Sequence, residues 1–240
     1  MMMGKLDGKV ALITGGNRGI GRGIAEAFAG EGASVIITGR DVEALNETSE
    51  SLARAGASVL AVRADVSDEE QVSDTFRQAM ERFERLDILV NNAGAFDGGP
   101  LDKLSVEKWD RVIAVNLRGP FLCTREAMRI MKRQRGGRII NIGSISAQRV
   151  RPSSAAYSAS KHGLWGLTQV TALEGREHGI SCGCLHPGNV LVDWRKGESE
   201  PMMSVDDIVQ AAVAMAALPP HVNMLEAIVL PVEQLYVGRG

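Results

Sequence analysis

Tyr157 and Lys161 stand four positions apart in SSAAYSASKHG (153–163). On a helix that spacing puts both side chains on one face, one turn apart. A phenol beside an ammonium is either an ordinary surface pair or a proton donor next to the cation that tunes it. The stretch alone does not choose, because most such pairs do nothing chemical. A second candidate is TGGNRGIG (14–21), a glycine-rich turn that follows an apolar run and opens a helical pattern. Glycines there allow a tight turn and a close backbone approach to a pyrophosphate, which a helix N-terminus stabilises. A plain turn uses the same residues, so context has to decide.

The elements that position these residues are readable. Short β-branched runs occur at 10–14, 34–38, 58–62, 86–92, 138–143, 180–186 and 227–231. Helical patterns fill 19–31, 41–56, 68–84, 105–133, 155–178 and 204–218. This alternation predicts an α/β fold: about seven mostly parallel strands in one doubly wound sheet, with helices on both faces. Residues 1–240 read as one domain without linker or repeat, with 1–8 as a lead-in. Ligands of such sheets bind beyond the carboxyl ends of the strands, so chemistry is expected just after each strand.

Composition narrows the function. Over 240 residues, 45% are hydrophobic and 23% charged, as in ordinary globular proteins. The net charge of −2, with scattered basic residues, argues against nucleic acid as a partner. No apolar run approaches the roughly 20 residues that span a bilayer, and no signal-peptide pattern opens the chain. No membrane partner and a cytoplasmic location are expected. Cys123, Cys182 and Cys184 have neither good disulfide geometry nor zinc-like spacing and read as small buried apolar residues; no metal is expected.

The turn's G-x-x-x-G-x-G spacing resembles the short-chain dehydrogenase/reductase family, whose signature is T-G-x-x-x-G-x-G. Further strand ends repeat the likeness: Asp65-Val66, Asn91-Asn92-Ala93-Gly94, Asn116 in AVNLRGP, Ser144 in NIGSIS, Y-x-x-x-K at 157–161, and Pro187-Gly188. Ser144 precedes Tyr157 by 13 residues, the interval typical of that family. The resemblance covers residues 10–190 and implies a Rossmann fold and hydride transfer between a nicotinamide and a carbonyl/alcohol pair.

It also implies roles. Gly15, Asn17, Arg18, Gly19, Ile20 and Gly21 would hold the cofactor phosphates, Asp65 and Val66 the adenine, and Asn92, Ala93 and Gly94 the length of the cofactor. Pro187 and Gly188 would flank the nicotinamide, with the Val190 backbone at its carboxamide. Tyr157 would be the acid–base group, and Lys161 would stabilise its phenolate and bond the ribose. Ser144 would orient the substrate oxygen, with Ser146 a nearby competitor, and Asn116 would help hold a water beside the lysine. A tyrosine near pKa 10 needs such a cation to exchange protons at neutral pH. Asn91 reads instead as a brace for the sheet.

At the tip of the second strand, Gly39 and Arg40 stand where NAD-preferring relatives carry an Asp. Arg18 and Arg40 could flank a 2′-phosphate, so NADP(H) is favoured over NAD(H). Asp41 reads as a helix N-cap. The expected function is NADP(H)-dependent reduction of a ketone or aldehyde. The alternatives are a cofactor-binding sensor with little turnover and an NAD-dependent alcohol dehydrogenase.

Departures from the family pattern fall near the substrate. Val192 replaces a common Thr, residues 189–203 form a short lid, and Trp194 is its prominent apolar residue. Arg149 and Arg151 border the approach. The C-terminal segment differs from that of fatty-acid-type ketoacyl reductases. Ala159, Gly163 and Gly166 give the Tyr157 helix a small-residue face suited to packing between subunits, and a homodimer or homotetramer is expected.

Overall fold

A computed structural model describes residues 4–192 and 200–235. Seven strands form one sheet in the order β3-β2-β1-β4-β5-β6-β7, every neighbouring pair parallel. They are β1 (Val10–Ile13), β2 (Ser34–Gly39), β3 (Val59–Arg63), β4 (Ile88–Asn91), β5 (Gly137–Ile142), β6 (Ile180–Pro187) and β7 (Glu226–Val229). The helices between them are α1 (Gly19–Gly30), α2 (Val42–Arg54), α3 (Glu69–Phe83), α4 (Val106–Ile113), α5 (Gly119–Gln134), α6 (Ala155–Gly175) and α7 (Val205–Ala216). The strand order reverses between β1 and β4, which opens a crevice at their carboxyl ends.

Alternation along the strands feeds two cores. Ala11 and Ile13 of β1 and Ile37 of β2 meet Ile24, Phe28, Leu45 and Ile208 on one face. Val10, Leu12 and Ile36 meet Phe76, Leu122 and Met131 on the other. Strands buried on both faces read as continuous apolar runs, which is why they are legible in sequence. Between the cores lies a polar brace. Asn91 donates to Asn141 at 2.8 Å and Thr124 at 3.0 Å, and Asn141 donates to Thr168 at 2.8 Å.

The helix expected over 105–133 is interrupted. A π-helical turn, Ala114–Arg118, separates α4 from α5. Pro120 has no N–H to donate to the Asn116 carbonyl four residues back, so the α-helical ladder cannot run through. The other expected elements agree to within a residue or two, except that the helix expected over 155–178 ends at Gly175 and continues as a 3-10 turn, Arg176–His178. Asp41 caps α2 as anticipated, accepting from the Ala44 amide. All three cysteines are buried, and burial pushes the Cys123 and Cys184 thiols up to about 12.

Candidate active site

The glycine turn is shaped by backbone demands. Gly15 and Gly19 have left-handed φ values of +62° and +53°. A Cβ on Gly21 would run into the Gly15 carbonyl and the Asn92 side chain. Asn92 Nδ2 donates to the carbonyls of Thr14 and Gly15 at 2.9 and 3.1 Å. In return, Thr14 Oγ1 accepts from the amides of Asn92 and Ala93, both at 3.0 Å. The tip of β4 is thereby stitched to the turn after β1. The N-terminus of α1 has no side-chain cap, leaving an anion-binding end open. An uncapped helix end, left-handed glycines and a turn packed too closely for a Cβ at Gly21 together fit a dinucleotide pyrophosphate.

At the tip of β2, sequence reading missed a contact. Asn17 is buried and its side chain packs over Gly39, so that a Cβ there would lie 2.6 Å from Asn17 Oδ1. Beside it Arg40 pairs with Asp65, Nη1 to Oδ2, at 3.5 Å. Partial burial pushes the Asp65 carboxyl up. The Ser67 hydroxyl and amide and the Arg40 charge outweigh that and hold it below the ordinary value. Val66 is buried against Gly119, just past the π turn.

The carboxyl ends of β4 and β5 and the N-terminal turns of α6 bring the other predicted residues together. Lys161 is 5% exposed, and its Nζ donates to the Ile142 carbonyl at 2.7 Å. The same nitrogen lies 5.6 Å from the centre of the Tyr157 ring, so the helical pair is a real contact. Ser144 Oγ accepts from the Ser146 amide at 3.1 Å, which leaves its own hydrogen free to point elsewhere. Asn116 is buried and fully engaged. Its side chain exchanges two hydrogen bonds with the Ala95 backbone, at 2.7 and 2.9 Å, and donates to Ser160 at 3.2 Å. It pins the loop after Gly94 to the π turn and to α6. From that loop, Phe96 reaches Tyr157 edge-to-face with ring centres 5.4 Å apart, a neighbour that no motif announces.

Past β6, the Pro187-Gly188 turn is held from the far end of the chain. Gly188 donates to the Val229 carbonyl at 2.8 Å, and the Asn189 amide donates to Gln234 Oε1 at 2.8 Å. A side chain on Gly188 would collide with Gln234. Val190 is buried and bridges Met203, closing the base of the loop whose residues 193–199, with Trp194, lie outside the described residues. Glu200 accepts from Asn189 at 2.8 Å and from Arg151 at 2.9 Å. Arg151, expected as a loop charge near the approach, is thus tied to the loop's exit. The periodic signals used to read helices and strands carry no trace of these contacts, because each joins residues 11 or more apart through irregular backbone.

One expectation is corrected. Gly163 faces Leu117 of the π turn, where a Cβ would lie 2.8 Å from Cδ2, so its missing side chain serves packing within the chain. Ala159 and Gly166 remain exposed on α6. Among the described residues, no three His, Cys, Asp or Glu side chains gather as a metal site requires, and no helix is long and apolar enough to cross a membrane.

Comparison with known proteins agrees with this geometry. Residues 9–202 match the family model described as short chain dehydrogenase. The chain is 40% identical to the D-beta-hydroxybutyrate dehydrogenase of Cupriavidus necator over 186 residues, 78% of this chain and 72% of that one. It is 41% identical to the galactitol 2-dehydrogenase of Agrobacterium fabrum over 187 residues, with the same coverage. A metagenomic short-chain oxidoreductase crystallised with NADP superposes with a TM-score of 0.85 at 34% identity, covering 95% of this chain and 98% of that one. The matched segment runs from the glycine turn through the tyrosine helix to the loop after β6, and the chain belongs to the short-chain dehydrogenase family of NAD(P)-dependent oxidoreductases acting on alcohol and ketone groups.

Proposed function

We propose that the protein is an NADP(H)-dependent reductase of a ketone or aldehyde, with Tyr157 as the proton donor. The observation that carries this reading is the buried Lys161 ammonium 5.6 Å from the Tyr157 ring. No carboxylate among the described residues forms an ion pair with that ammonium. Its positive charge is therefore available to offset the negative charge that develops as the proton is transferred. The cofactor, when bound, supplies the hydride to the carbonyl carbon. The Tyr157 hydroxyl gives its proton to the carbonyl oxygen as negative charge develops there. The Ser144 hydroxyl, with its lone pair engaged by Ser146, donates to the same oxygen and orients it. The Asn116 carbonyl, which Pro120 cannot bond, holds a water on the lysine side for proton replenishment. In the reverse direction the Tyr157 phenolate accepts the alcohol proton.

Residues 15–21 would hold the pyrophosphate, and Asn92 to Gly94, Pro187, Gly188 and Val190 would line the nicotinamide side. The preference for NADP(H) draws support from β2. The volume above Gly39, where a ribose-binding carboxylate would stand, is filled by Asn17, and Arg18 and Arg40 are the next residues in sequence after Asn17 and Gly39. Phe96, Leu101 and Val150 are exposed apolar residues of the loops around Tyr157, which favours substrates with an apolar body. A cytoplasmic homo-oligomer completes the reading.

The test is NADPH oxidation with a panel of aliphatic ketones, aryl aldehydes and β-keto esters. Turnover of at least one is expected, and Tyr157→Phe should lower kcat by about 10³-fold or more with NADPH still bound. Wild-type turnover in that variant would sink the mechanism. Tight NADPH binding with no turnover across the panel would point instead to a cofactor sensor.

A further inference from the structure

His186 is fully buried at the end of β6, and the chemistry above does not use it. Its Nδ1 lies 2.9 Å from the Ser144 carbonyl oxygen and 3.3 Å from the Ser144 amide nitrogen. Protonated, Nδ1 donates to the carbonyl; bare, it accepts from the amide. In both neutral tautomers the ring therefore grips the peptide of Ser144.

Three further features surround the ring. Trp165 meets it edge-to-face with centres 5.8 Å apart. Tyr157, Lys161 and Trp165 follow one another at four-residue spacing, so one face of α6 carries the proton donor, its cation and the wall of this histidine. From β7, Glu226 Oε1 lies 3.5 Å from Nε2 and also accepts from Gln148 Nε2, on the segment that leads from Ser144 to α6. Finally, Gly143 has no side chain where one would need the ring's space: a Cβ would lie 2.6 Å from Nδ1. Lys161 binds the Ile142 carbonyl, so the two residues flanking Gly143 are each held by one buried ring or cation.

We propose that His186 is a positioning residue, which clamps the Ser144 peptide so that the Ser144 hydroxyl faces the substrate oxygen beside Tyr157. This rests on the role given above to Ser144. Its reach is geometric. Hydride transfer is sensitive to sub-ångström placement of the group that orients the carbonyl, whereas cofactor binding at the glycine turn is remote from it.

The test compares His186→Phe, His186→Gln, His186→Asn, Ser144→Ala and the double variant Ser144→Ala/His186→Phe. The assay uses the fastest carbonyl of the panel, with NADPH affinity from fluorescence titration. Phe keeps the bulk and removes the hydrogen bond; Gln moves its amide to the Nε2 position. Both should lower kcat about tenfold or more while the NADPH dissociation constant stays within about twofold. Asn places an amide where Nδ1 stood and should recover most of kcat. In the double variant, His186→Phe should add less than about twofold to the loss from Ser144→Ala, because the clamp acts through Ser144 alone.

Wild-type kcat in both His186→Phe and His186→Gln beside a slow Ser144→Ala would overturn the clamp and leave the role of Ser144 standing. Fully additive losses would overturn it too, marking a general structural effect. Undiminished kcat in Ser144→Ala would remove the role of Ser144, and the clamp with it. Should His186→Phe fail to fold, His186→Gln and His186→Asn alone decide: equal kcat in the two would count against the clamp.

Discussion

The proposed cofactor half of the site and the proposed substrate half are built by opposite means. Around β1, β2 and β4 the work falls to backbone: left-handed glycines, an uncapped helix end, and side chains such as Thr14 and Asn92 turned inward to hold loops. Around β5, β6 and α6 it falls to side chains that cross the molecule: Lys161 to Ile142, His186 to Ser144, Gln234 to Asn189, Arg151 to Glu200. Backbone geometry suits a partner whose shape never changes, such as a pyrophosphate. Side-chain clamps suit a region where the substrate varies and only the reacting oxygen must be held in place.

That contrast can be broken by substitution. The largest effect is expected from Gly21→Ala. Its methyl would press into the Gly15 carbonyl and Asn92, so NADPH affinity measured by titration should fall about 100-fold or more, with thermal stability also reduced. Near-native affinity would mean that the turn relaxes easily and that its backbone is not the rigid part.

Next comes Arg40→Asp. It removes the cation proposed to meet the 2′-phosphate and breaks the pair with Asp65, so the ratio of NADPH to NADH affinity should fall about tenfold. An unchanged ratio would shift the preference to Arg18 or remove it.

The smallest effect sharpens the substrate half. Burial depresses the His186 pKa below 6.5, with the Ser144 backbone and Glu226 opposing and Lys161 adding to the depression. The unfolded chain then binds a proton that the folded one resists, so this contribution to stability is complete above about pH 6.5 and is lost as pH falls below it. Wild type should therefore lose more Tm between pH 7 and pH 5 than His186→Asn. An equal loss in both would show that burial does not depress the ring's proton affinity, and a smaller loss in wild type would show that Glu226 holds the ring charged in the folded state.

The same contrast governs what the sequence discloses. The sheet was legible because strands buried on both faces are continuous apolar runs, and the glycine turn because its residues are contiguous. Tyr157 and Lys161 were legible because helical spacing brings them together. The role of Asn17 over Gly39 was not, since it depends on how two strand tips approach. His186 was read past as part of a strand, although a histidine in an apolar strand beside Pro187-Gly188 was the available signal. Gln234 and Glu200 left no signal, because their partners are fixed by loop paths rather than by periodicity. Gly163 was misread because a small residue on a helix face looks the same whether its neighbour is another subunit or Leu117.

The grip of Gln234 on the Pro187-Gly188 turn has a consequence for local unfolding. The glycine turn draws its contacts from β1, α1 and β4, whereas the turn after β6 is completed by a residue 45 positions beyond Asn189. An opening that frees only the segment after β7 would therefore loosen the Pro187-Gly188 turn and leave the glycine turn intact.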